Sequence, residues 1–218
     1  RDWYGIYSLR GKCLNTRNAN PAMIAENVVV TDIIKALGIE YDKDYTLESN
    51  FEKLRYGKVL IITDADHDGC HISSLIQNIF HSLFPTLLER KDPFLNIMQT
   101  PIIRVFNKRG RDVLFYDELK YKKYVEDFSR KYPNRKIVHK YYKGLGTNNE
   151  KDIKETFGKK ILKLEMDERC STNMNKVLSK SNADLRKVWL SNYDPKSFSI
   201  VQWKGIDVEE TRTITISD

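Results

Sequence analysis

The chain has 218 residues, 40% of them hydrophobic and 31% charged, enough for a buried core in one large domain or two small ones. No apolar run approaches the roughly 20 residues that cross a bilayer, which argues against a membrane-spanning helix, and three widely spaced cysteines (Cys13, Cys70, Cys170) argue against a disulfide framework or a zinc site and suit a reducing compartment. Lys and Arg number 37 against 30 Asp and Glu, a net charge of +7 that favours a polyanionic partner.

Taken in order, residues 3–15 mix aromatic and apolar side chains around one basic turn, Arg10-Gly11-Lys12, in which two cations and a residue without Cβ can approach phosphate. Most such triplets are solvated loops. Residues 21–37 read as a helix with Ile24, Val28, Ile33, Ile34 and Leu37 on one face and Gly38 as its stop. Residues 40–56 read as a loop or short helix. Residues 58–63 read as the central strand, an unbroken apolar run suited to a parallel sheet covered on both faces. Then comes Asp64-Ala65-Asp66-His67-Asp68-Gly69, followed by a helix with Ile72, Leu75, Ile76, Ile79, Phe80, Leu83 and Phe84 at steps of three and four, ended or kinked by Pro85. Residues 94–105 read as strand interrupted by Pro101, which completes a βαβ unit with the acidic turn at the carboxyl end of its first strand, where open α/β sheets bind ligands.

Residues 107–110 read as a basic turn, 117–128 as an amphipathic helix, and 136–142 as a strand leading into Lys143-Gly144-Leu145-Gly146-Thr147. The two glycines there imply a backbone packed close to something; a dinucleotide site is rejected because the third glycine of that fingerprint is missing. Residues 148–157 read as a helix capped by Asn148 or Asn149, 161–166 as a strand, and 183–192 as a helix whose stripe Leu185, Val188, Trp189 and Tyr193 reads as core packing. From Asp194 the pattern becomes extended, ending on strand-like residues 213–216.

The acidic turn carries the chemistry. In extended geometry Asp64, Asp66 and Asp68 share one face, and three converging carboxylates call for a hard divalent cation such as Mg2+. The same letters open an EF-hand calcium loop, but that loop needs Glu where this chain has Leu75, and a helix where it has an apolar strand. Capping of the next helix by Asp68 alone is the plainer alternative, and leaves Asp64 and Asp66 unexplained. His67 and His71 beside the cluster are candidates for a supporting polar role.

These segments resemble a known family. Thr63 to Gly69 followed by His71-Ile72 is similar to the metal motif of the TOPRIM domain of type IIA DNA topoisomerases. Tyr4 to Lys12 with Leu14-Asn15, Thr100-Pro101-Ile102, Tyr141 to Thr147, and Arg186 to Leu190 resemble four further segments of that family, in the same order, nearest its eukaryotic and large-DNA-virus branch. Ala65 and His67 stand where the eukaryotic branch usually has Gln, the alanine being more like bacterial gyrase B, and Ser8 stands where Pro is usual; the aspartates are intact. The resemblance implies a TOPRIM (Rossmann-like) α/β fold, a parallel sheet flanked by helices, over residues 1–106, an α+β extension over 107–193, and a connector over 194–218 toward a winged-helix domain. It implies Mg2+ (with Mn2+ as a substitute) on Asp64, Asp66 and Asp68, and DNA contacts at Arg10, Gly11, Lys12 and Lys143. It further implies a double-stranded DNA substrate, a homodimer, and ATP bound by another domain. The catalytic glutamate of a Glu-Gly-Asp-Ser motif is expected upstream of this chain and the DNA-attacking tyrosine downstream, so the chain reads as a piece of a longer enzyme that is inactive alone. The expected location is the nucleus in a eukaryote, or the host cytoplasm or viral replication site for a virus. The competing readings are a metal-dependent nuclease of the same fold and a non-catalytic nucleic-acid-binding module.

Overall fold

The computed structural model describes residues 3–108, 110–192 and 212–216. The expected first helix is two: α1 (Pro21–Glu26) and α2 (Val28–Leu37), divided by Asn27. Asn27 leaves helical geometry and its side chain accepts the Val30 N–H, so it ends one helix and caps the next. Asn competes with the helical backbone in this way, and apolar spacing does not register it. Gly38 closes α2 in the left-handed region, at φ 72°. The stretch after it holds one short helix, α3 (Glu48–Phe51).

The βαβ unit is present as β1 (Val59–Ile62), α4 (His67–Leu83) and β2 (Leu95–Met98), with Val59 opposite Leu95 and Ile62 opposite Met98 in parallel register. Pro101 divides the next extended stretch: β2 stays in the first sheet, while β3 (Ile103–Val105) starts a second. The second sheet has the order β4-β3-β5, antiparallel throughout, with β4 at Val113–Phe115 and β5 at His139–Tyr141, and α5 (Glu118–Lys131), capped by Asp117, packs on it. After α6 (Glu150–Thr156) the chain returns to the first sheet as β6 (Ile161–Glu165), antiparallel to β2. Two helices follow, α7 (Cys170–Leu178) and α8 (Ala183–Ser191), and then β7 (Arg212–Thr215), which pairs parallel with β6.

The first sheet is therefore mixed, in the order β1-β2-β6-β7, with a parallel βαβ pair at one end. Three expectations are corrected. The strand β1 is the terminal strand of this order among the described residues, not a central one, and only Ile61 of its four residues is fully buried. An apolar run records high burial potential but not how many neighbours a strand has. The last strand-like segment is more than connector: residues 212–215 pair within the first sheet. The stripe on α8 is not core: Leu185, Val188 and Trp189 are 59%, 60% and 47% exposed, while Tyr193 lies outside the described residues. Helical spacing defines a face without saying what covers it.

The main core lies between α4 and the first sheet. Leu75, Ile76, Ile79 and Phe80 pack with Phe94 and Leu95, and Phe94 meets the rings of Phe51 and Phe80 edge-on. One fully buried polar residue interrupts the α4 stripe. Asn78 donates to Asn15 Oδ1 (3.1 Å) and Thr16 Oγ1 (3.0 Å), and accepts from Arg17 Nε (2.9 Å). Buried amides need such partners, so Asn78 pins residues 15–17, and with them the basic turn just upstream, to the helix that follows the acidic turn.

Candidate metal centre

The acidic turn begins where β1 stops. Thr100 Oγ1, beyond β2, donates to the Thr63 carbonyl at 3.0 Å and ties together the carboxyl ends of the two parallel strands. Three residues after Thr63 the backbone turns into α4, with Asp66 as its N-cap: Asp66 Oδ1 accepts the Gly69 N–H at 2.8 Å. The cap is thus Asp66 and not Asp68. Gly69 is needed for the turn's shape, since a Cβ there would lie 2.0 Å from the Asp64 carbonyl oxygen.

Each aspartate has a different partner. Asp64, half-buried, accepts the Leu145 N–H on Oδ1 at 2.6 Å. Asp66 is exposed and caps. Asp68 is exposed and pairs with Lys12 Nζ at 2.9 Å; that hydrogen bond, with the charge of Lys12 and the nearby His71 and His67, holds its carboxyl below the usual range. Among the described residues no three Asp, Glu, His or Cys side chains form a closed metal-binding cluster. The expected convergence of all three aspartates does not occur, because extended geometry ends at Asp66 and Asp68 belongs to the first helical turn, which points side chains around an axis instead of alternating them. The donor set still fits Mg2+. That ion takes oxygen ligands and uses one or two carboxylates together with waters and substrate phosphate, and Asp64 and Asp66 each accept a backbone N–H on Oδ1.

The loop at residues 143–147, whose glycines imply a close backbone approach, packs against Asp64. A Cβ on Gly144 would come within 3.0 Å of Asp64 Oδ2 and 3.2 Å of its Cγ. Asp64, Thr100, Pro101, Tyr142, Gly144 and Leu145 line one small cleft, so three segments far apart in the chain meet there. Arg10, Lys12 and Lys143 are exposed, and Gly11 takes φ 95°. Lys12 meets the acidic turn through its Asp68 contact, and Lys143 precedes Gly144, which packs against Asp64. Arg10 makes no contact with the aspartates. His67 opens α4 and His71 lies one turn on, both exposed.

Sequence reasoning missed the residues that support this loop. Tyr142, Asp152, Arg104 and Lys140 form a buried polar network beneath it. The one available signal was Asn149 followed three residues later by Asp152, a capping-box spacing, and the box is formed.

The two glycines give an ordered prediction. Gly69→Ala pushes Cβ into rigid backbone and will destabilise the chain by about 1–3 kcal/mol, whereas Gly144→Ala meets a carboxylate that can swing away and will cost about 1 kcal/mol or less. Urea unfolding of the two variants checks the order.

The family comparisons agree with this arrangement. A model of the Toprim domain matches residues 1–100, and a model of the C-terminal associated domain of TOPRIM matches residues 98–218. The chain is 40% identical over 206 residues to DNA topoisomerase 2 of Invertebrate iridescent virus 6, covering 90% of this chain and 18% of the relative. It is 38% identical over 198 residues to human DNA topoisomerase 2-alpha, covering 88% of this chain and 12% of the relative. The crystal structure of the Plasmodium falciparum topoisomerase II DNA-binding, cleavage and re-ligation domain superposes with a TM-score of 0.76 at 28% identity, over 96% of this chain and 27% of that one. The chain thus spans less than a fifth of the length of these two curated relatives. The chain belongs to the TOPRIM family, as a TOPRIM domain with its C-terminal associated domain, in the branch carried by type II DNA topoisomerases.

Proposed function

We propose that this chain is the metal-holding part of an ATP-dependent type IIA DNA topoisomerase that acts as a homodimer on double-stranded DNA. The observation that carries the proposal is the meeting of three separated segments at Asp64: the acidic turn at the end of β1, Thr100-Pro101 tied to it through the Thr63 carbonyl, and the Gly144-Leu145 backbone. A merely structural acidic turn has no use for a backbone amide brought from 81 residues away onto its first carboxylate.

In the proposed reaction a tyrosine from the adjacent domain attacks a phosphodiester and forms a 5′-phosphotyrosyl bond; a second duplex passes through the gap and the bond is resealed. Asp64 and Asp66, with Asp68 beside them, would hold Mg2+, which Mn2+ can replace. Mg2+ when bound supplies stabilisation of charge on the phosphate and the leaving 3′ oxygen. This chain's own residues do the remaining work. Leu145 N–H orients the Asp64 carboxylate, and the α4 N-terminus orients Asp66. Lys12, paired with Asp68, and Arg10 and Lys143, all exposed, would bind flanking phosphates. The chain's own domains follow the same reading: a core over 1–106, an extension over 107–193, and 194–218 leading toward the tyrosine-bearing domain. ATP would be bound elsewhere in the complete protein, which would work in the nucleus of a eukaryote or at a viral replication site in the host cytoplasm.

The test is to mix the complete protein with supercoiled DNA, Mg2+ and ATP, stop with detergent, and assay protein linked to 5′ DNA ends. Linked, resealable double-strand breaks are expected. Breaks with free ends would mean a nuclease, and salt-sensitive binding without breaks a binding module. Phosphate contacts also make a quantitative prediction. The affinity for duplex DNA will fall with salt, and Lys12→Ala, Arg10→Ala and Lys143→Ala will each reduce the slope of log K against log salt by about 0.9, measured by fluorescence anisotropy.

A further inference from the structure

Both ends of the loop that touches Asp64 are fastened to one buried side chain. Tyr142, entering the loop, donates its hydroxyl to Asp152 Oδ1 at 2.9 Å. Asn149, leaving it, donates its backbone N–H to Asp152 Oδ2 at 3.2 Å, and its own Oδ1 accepts the Asp152 N–H at 2.8 Å. The Asp152 side chain is 5% exposed, and its charge is met by Arg104 Nη2 at 3.0 Å and Lys140 Nζ at 2.8 Å. Arg104 Nε also donates to the Tyr142 hydroxyl at 2.8 Å, so the tyrosine is held from two sides. Burial works against the ionised carboxyl of Asp152, but Lys140, the Asn149 amide, Tyr142 and Arg104 outweigh it and keep its pKa below the ordinary value. Only residues 143–148 separate the two anchors, and Gly144 and Leu145, the pair against Asp64, lie among them.

We infer that Asp152 and Tyr142 are positioning residues for the candidate metal centre: by clamping both ends of the loop at 143–148 they set the orientation of Asp64, and through it the affinity for a divalent cation. The inference rests on the reading of Asp64 as a cation ligand. The groups that orient a ligating carboxylate govern metal affinity because they hold it in the binding geometry before the ion arrives. Folding of the second sheet alone does not require the arrangement, since Arg104 is already met there by Asp112 at 3.1 Å and Glu155 at 2.6 Å. What Asp152 and Tyr142 add is the hold on the two loop ends.

The test is Mn2+ binding to the nucleotide-free complete protein, followed by electron paramagnetic resonance with Mg2+ as competitor, for the native protein, Tyr142→Phe and Asp152→Asn. Tyr142→Phe keeps the ring and removes only the hydroxyl. It is expected to weaken Mn2+ binding about threefold to tenfold, below the roughly 10–100-fold loss typical when a direct partner of a metal ligand is removed. Asp152→Asn is expected to weaken it further. In the cleavage assay the Mg2+ concentration for half-maximal product should rise by the same factor, with full cleavage restored at saturating Mg2+. Unchanged Mn2+ affinity in folded Tyr142→Phe overturns the inference, whatever the fate of Asp152→Asn. So does a fall in maximal cleavage with no change in half-saturation, which is the signature of a purely structural role. A native protein that binds no Mn2+ overturns the metal reading itself, and this inference with it.

Discussion

Asp66→Asn in the complete protein will lose Mg2+-dependent DNA cleavage by on the order of 100- to 1000-fold, because a lost ligand removes several kcal/mol of charge stabilisation from the transition state. Its stability will barely change. Asp66 is the N-cap of α4, accepting the Gly69 N–H, and Asn caps as well as Asp. The cap also makes the control. Asp66→Ala removes charge and cap together, and should lower stability by about 1 kcal/mol on top of the same cleavage defect. Covalent complex formation and thermal unfolding, measured on both variants, separate the two roles. Cleavage at the native rate by Asp66→Asn would sink the metal assignment, and equal melting of the two variants would show that the cap contributes nothing.

Arg104→Met will cost about 3 kcal/mol or more of folding stability, read as a shifted urea midpoint at unchanged slope. The Arg104 side chain is 3% exposed and serves Asp112, Asp152 and Glu155 as well as the Tyr142 hydroxyl. Burial opposes its charge, but the bonds to Glu155, Tyr142 and Asp112 outweigh that and raise its pKa above the ordinary value. Breaking one side of a buried ion pair costs about 3–5 kcal/mol because the other side stays buried and unmatched. The lower end applies here. The carboxylates of Asp112 and Glu155 are 25% and 41% exposed and can rehydrate, and Asp152 retains Lys140 and Tyr142. Arg104→Lys should recover less than half of the loss, since an ammonium cannot reproduce a planar fork that serves four acceptors. A shift below about 1 kcal/mol for Arg104→Met would mean that the network repays only its own desolvation.

The local elements of this chain were legible because short-range physics sets them. Steps of three and four located α4, the amphipathic pattern over residues 117–128 located α5, and Pro101 marked an interruption of the extended stretch where the structure passes from one sheet to the next. The helix α7 was missed although Cys170, Met174 and Leu178, all buried, recur every four residues, because Cys and Met are weak apolar markers among polar neighbours. The acidic turn was legible as chemistry, and Gly144 as a close approach, since a sequence can record that a Cβ is forbidden. What it cannot record is the partner. That Gly144 approaches Asp64 and that residues 212–215 return to the first sheet are long-range pairings, and that α8 leaves its apolar face exposed depends on what the rest of the fold places beside it. By itself the sequence determined the periodicities, the caps, the charge and the identity of the carboxylates, each of which depends on residues within a few positions of one another. Only the tertiary structure decided which carboxylate is oriented by a distant backbone amide and which pairs with Lys12, because those outcomes depend on contacts between residues 81 and 56 positions apart, and no local pattern encodes them.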